Sequence, residues 1–60
     1  MWRVTNRLNA RGDEGNLYVV VVMQNGFETD YILADGRAVT RQEGGKFRID
    51  ETGETLRPDT

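Results

Sequence analysis

Between Leu17 and Val39 the chain reads as two β-hairpins set back to back. Leu-Tyr-Val-Val-Val-Val-Met-Gln runs into Asn25-Gly26, Phe-Glu-Thr-Asp-Tyr-Ile-Leu-Ala runs into Asp35-Gly36, and Arg-Ala-Val follows. Asn-Gly and Asp-Gly supply the positive φ angles of type I′ turns, whose twist matches the strands they join. An antiparallel meander follows, and two-residue loops set its register. Gln24 then faces Phe27, Val22 faces Thr29, Val20 faces Tyr31 and Tyr18 faces Leu33. In the second hairpin Leu33 faces Ala38, Ile32 faces Val39 and Asp30 faces Arg41.

The flanking segments extend the same pattern. Trp2 and Val4 alternate with Arg3 and Thr5, which predicts a strand near 2–6. Asn9 to Asn16 has Ala10 as its only apolar residue and two glycines, so it reads as a mobile loop. Further strands are expected at 17–24, 27–34, 37–42 and 46–50, with a possible short strand at Thr55–Arg57 and a frayed tail at 58–60. A three-residue Glu43-Gly44-Gly45 turn would put Phe47 and Ile49 on the face of Val39; a two-residue Gly44-Gly45 turn would put them on the other. The expected fold is one all-β domain of SH3-like size: a five-stranded antiparallel meander forming a strongly twisted sheet or small open barrel.

The register poses a problem of surplus. One sheet face carries Tyr18, Val20, Val22, Phe27, Tyr31, Leu33 and Ala38. The other carries Leu17, Val19, Val21, Met23, Ile32 and Val39, interrupted by Glu28 and Asp30. A sheet with one wet face alternates apolar and polar residues, and the central strand does not. Either the valine stripe is covered by a second protomer or a partner, or the terminal segments with Trp2, Phe47 and Ile49 fold over it. The residues proposed to interact are Val19, Val21, Met23, Ile32 and Val39, with Glu28 and Asp30 as a polar rim.

Sixty residues with neither cysteine nor histidine exclude the usual supports of a small domain, disulfides and zinc. A core this small seldom supplies more than about 3–5 kcal/mol, which again favours association. The same inventory argues against catalysis. Histidine, cysteine and serine are all missing, so the common nucleophiles and the usual proton shuttle are missing too. No catalytic residue, cofactor or metal is expected. Eight bases against ten acids disfavour nucleic acid, whose binding depends on clustered positive charge. No apolar leader follows Met1, and the run Leu17–Met23 is too short for a membrane helix; a cytoplasmic protein is expected.

Two short strings resemble recognition motifs. Arg11-Gly12-Asp13 is similar to the integrin-binding tripeptide. Asp50-Glu51-Thr52-Gly53-Glu54 resembles the acidic turn by which a stress-response transcription factor docks on a Kelch propeller, two glutamates splaying from a tight turn. A hairpin turn with Gly53 in the left-handed conformation accounts for the second string without any partner. At the level of class, very small acidic cysteine-free β-proteins resemble phage-borne inhibitors such as anti-CRISPR proteins. That resemblance implies a non-enzymatic protein that binds a host protein complex through acidic turns or an apolar sheet face. Two other functions compete: a barrel binding nucleic acid or a small ligand through Arg37, Arg41, Arg48 and aromatics, and a homo-oligomeric assembly subunit.

Overall fold

The computed structural model describes residues 1–59; of the tail expected at 58–60, Thr60 lies outside them. Six antiparallel strands form one sheet: β1 (Arg3–Gly12), β2 (Leu17–Asn25), β3 (Glu28–Leu33), β4 (Val39–Arg41), β5 (Phe47–Ile49) and β6 (Thr55–Pro58). Their spatial order is β3-β2-β1-β6-β5-β4, and a bridge between Ile32 and Ala38 brings the two ends together. The result is a small, nearly closed all-β barrel, as expected, with the possible last strand present as β6. The meander holds: each strand lies beside the next in sequence, β3 meeting β4 at that bridge, and the pairing of β6 with β1 closes the barrel.

The interior is filled by Ala10, Val20, Leu33, Val39, Phe47, Ile49 and Leu56, with Leu8, Tyr18 and Tyr31 packed against them. The Tyr31 and Phe47 rings meet tilted, centroids 5.1 Å apart. Every strand except the short β4 and β6 gives alternate residues to this core in the period-2 pattern that half-buried strands require.

Both hairpin turns differ from the sequence expectation. In the first, Asn25 pairs with Glu28, so the loop is Gly26-Phe27 and not Asn25-Gly26. Gly26, at φ 61°, occupies the first central position, where a type II′ turn needs positive φ. The register moves by two: Val20 faces Leu33, and Val22 faces Tyr31. A shift of two leaves every β2 and β3 side chain on its expected face. Phe27, however, leaves the face and stands at the hairpin tip.

In the second turn the Leu33 N–H donates to Arg37 O at 2.8 Å, and the Gly36 N–H donates to Leu33 O at 2.8 Å. The loop is therefore Ala34-Asp35-Gly36, with Gly36 at φ 97° as the left-handed residue of a three-residue hairpin. One extra loop residue moves the register by one and inverts the faces. Val39, assigned by sequence to the outer stripe, is 5% exposed and lies in the core. The expected Asp30–Arg41 pair is lost as well: the bridge of Ile32 with Ala38 sets Thr40, not Arg41, level with Asp30, and the ion pairs among the described residues include neither residue. A double-mutant cycle on Asp30→Ala and Arg41→Ala should therefore be additive to within about 0.5 kcal/mol in denaturant melts; a larger coupling would restore the two-residue loop.

The third turn takes its three-residue form. Val39 faces Ile49, and Gln42 N–H donates to Lys46 O at 2.7 Å, which brings Phe47 and Ile49 into the core beside Val39. The loop expected at 9–16 is a correction too. Asn9–Gly12 belongs to β1, where Ala10 faces both Tyr18 of β2 and Pro58 of β6. Ala10 is fully buried, and that central ladder outweighs the polar composition of the segment. Pro58 and Asp59 of that tail are likewise held, since Pro58 ends β6 and the Asp59 N–H donates to Asn9 O at 2.7 Å.

Candidate interaction surface

A bulge in β1 decides what the outer face contains. Val4 faces Met23 while Asn6 faces Val22, so Thr5 is an extra residue on its strand. Without it Val4 and Leu8 would share a face; with it Leu8 reaches the core and Val4 turns outward. Reading across β3, β2 and β1, the outer rows are Asp30–Met23–Val4, then Ile32–Val21–Arg7, then Val19–Asn9 and Leu17–Arg11. Trp2 continues the row of outward residues beyond Val4. It lies near Asn25, whose Oδ1 accepts a hydrogen bond from the Met1 amino group at 2.8 Å.

Of the residues singled out by sequence, Val19, Val21, Met23 and Ile32 form a continuous, half-buried apolar band, with Glu28 and Asp30 exposed along its β3 side. Val39 is absent from it. Sequence reasoning missed how the band extends. Val4 (45% exposed), Trp2 (43%) and Leu17 (71%) prolong it, and Phe27 (108%) stands clear at the tip. Leu17 was legible from strand alternation. Val4 and Trp2 depend on the bulge, which has no sequence signature here. The opposite flank is basic, with Arg7 and Arg11 on β1 and Arg57 facing Arg11 across β6.

The other end of the barrel is polar. Tyr18 Oη donates to Glu54 Oε1 at 2.9 Å, and the Arg37 guanidinium lies 5.8 Å from the Tyr18 ring centre. Arg37 also pairs with Asp35 at 2.8 Å. Its Nε–H and backbone N–H both donate to that carboxylate, which holds the Asp35 carboxyl below its ordinary value and raises the guanidinium. Arg48 stands 4.0 Å from Asp50. Two of the three arginines considered for nucleic acid thus lie beside aspartates. Of the aromatics, Tyr18 lies under Arg37 and packs on the core with Tyr31, while Phe27 stands at the tip.

Neither short motif has the setting its resemblance implies. Arg11-Gly12 lies within β1 and Gly12 is buried, so the tripeptide does not crown a loop. In the acidic turn Glu54 points inward to Tyr18 and does not splay outward. Among the described residues no three acidic side chains gather as metal ligands would, and no helix is long and apolar enough to cross a membrane.

Fold and surface together define a class: a small six-stranded barrel with an apolar band on the outside of β1, β2 and β3. Comparison with protein-family models, curated proteins and solved structures finds no match for this chain.

Proposed function

We propose that this chain is a non-enzymatic binding protein whose interface is the outer face of β1–β2–β3. The observation that supports this is the continuity of the band from Leu17 through Val19, Val21, Ile32 and Met23 to Val4 and Trp2. Apolar side chains scattered singly over a surface need no explanation, but a contiguous band rimmed by charge marks an interaction site. An aromatic tip beside such a band has the character of an interface anchor. The free strand edges near the tip are less suited to binding: β1 carries its bulge there and β3 its acids, both of which discourage edge pairing.

Photo-crosslinking tests the reading. A benzophenone side chain at Leu17 should trap a polypeptide in cells expressing the chain, while the same group at Thr55, outside the band, should not. Equal trapping at both positions, or none at Leu17, would sink it.

A further inference from the structure

At the Leu17 end of the apolar band two arginines face each other. Arg11 and Arg57 are direct partners in the β1–β6 ladder, and Leu17 is the partner of Arg11 on its other side. Alternation puts both arginine side chains outside, since their chain neighbours Ala10 and Leu56 are fully buried. Like charges directly opposite on neighbouring strands destabilise a sheet. The ion pairs among the described residues, Arg37–Asp35 and Arg48–Asp50, relieve neither arginine. The chain has ten acids to eight bases, so the juxtaposition is not a by-product of basic composition.

Two shallow hollows share Asp59 at this place. One, of about 320 Å³, is bordered by Arg11, Gly12, Asp13, Arg57, Pro58 and Asp59. The other, of about 370 Å³, is bordered by Asn9, Leu17, Tyr18, Val19 and Asp59. Resting on the interface reading above, we infer that the partner meets this end of the face with a polypeptide segment in which an apolar residue stands beside an acidic one. The apolar side chain fills the hollow beside Leu17 and Val19, and the carboxylate is held between Arg11 and Arg57.

Two planar guanidinium forks match a carboxylate, each able to donate in parallel to its two oxygens. The same forks suit phosphate, and the neighbouring acids decide between the two. Asp13 and Asp59 border the arginine hollow. A nucleic-acid strand is charged at every residue and an anionic lipid surface is charged throughout, so either would lie against these aspartates as well. A polypeptide is negative only where an acidic side chain stands, and it can set neutral residues opposite Asp13 and Asp59. The complementary charge is confined to one spot, and the apolar band supplies the rest of the contact.

Fluorescence anisotropy at low salt, with a short labelled peptide of alternating leucine and glutamate, provides the test. The chain should bind this peptide at least about tenfold tighter than the matching leucine–lysine peptide or an oligothymidine of equal charge. Arg11→Glu should weaken the binding by about tenfold or more, since it removes one guanidinium and engages the other with the introduced carboxylate. It should not lower the urea midpoint, because an opposite-charge pair replaces a like-charge one, so the loss is not a loss of folding. Arg41→Glu changes the net charge equally on β4, away from both hollows, and should leave binding intact. A leucine–glutamate peptide that does not bind overturns the inference. Equal affinity for the oligothymidine or for phosphatidylserine vesicles does so too, as does an Arg11→Glu effect no larger than that of Arg41→Glu. The Leu17 crosslink separates this failure from failure of the interface reading. A product lost with Arg11→Glu and kept with Arg41→Glu supports both, a product that responds alike to the two substitutions keeps only the interface, and no product from the unsubstituted face removes both.

Discussion

Leu56→Ala should leave little folded protein in plain buffer at room temperature. Leu56 is completely enclosed and is the buried residue of β6, the strand that joins β1 to β5 and so closes the barrel. It faces Phe47 on one side and Gly12 on the other. Truncating a buried leucine to alanine costs about 2–5 kcal/mol, as much as the whole core of a domain this small is expected to contribute. Leu17→Ala, on the outer face, removes the same atoms and should move monomer stability by no more than about 0.5 kcal/mol. Urea melts of the two variants at dilute concentration make the comparison. A Leu56→Ala loss below about 1 kcal/mol would mean that β6 does not complete the core.

The second large effect is expected at Gly12, and it should depend on a residue far away in sequence. Gly12 does not need a left-handed backbone, since it is not among the positive-φ glycines. What restricts it is space. A Cβ there would collide with Glu54 Oε2 and lie 3.1 Å from the Tyr18 ring. Gly12→Ala must push the Glu54 carboxylate away and break the Tyr18 hydrogen bond, for about 1–3 kcal/mol. Glu54→Ala alone should cost less. It loses the same bond, but it also removes Oε2, which is buried without a hydrogen-bond partner among the described residues. In the Glu54→Ala background, Gly12→Ala should then cost at least about 1 kcal/mol less than in wild type, a coupling readable from a double-mutant cycle. Additive losses would show that the pressure on Gly12 comes from elsewhere.

Such a contact cannot be foreseen from composition. Gly12 looks like one of several loop glycines in a polar segment, and Glu54 like the end of an acidic turn. Only the docking of β6 against β1 brings the two together. The same docking turns the polar run Asn9–Gly12 into a central strand, because Ala10 is buried between Tyr18 of β2 and Pro58 of β6.

By itself the sequence determined an all-β chain with antiparallel hairpins, the division of β2 and β3 into two faces, and the surplus of apolar residues in β2. These are local properties: alternation has period two, and even a hairpin misplaced by two residues keeps its faces. The tertiary structure decided what local chemistry leaves open. Whether a glycine turn has two or three loop residues hangs on small differences in backbone geometry, settled by how the strands pack. A change of one in that count moved Val39 from the outside to the core. Likewise the bulge at Thr5, between Val4 facing Met23 and Asn6 facing Val22, sets Val4 outward while Leu8 points in, and only the pairing of β1 with β2 reveals it.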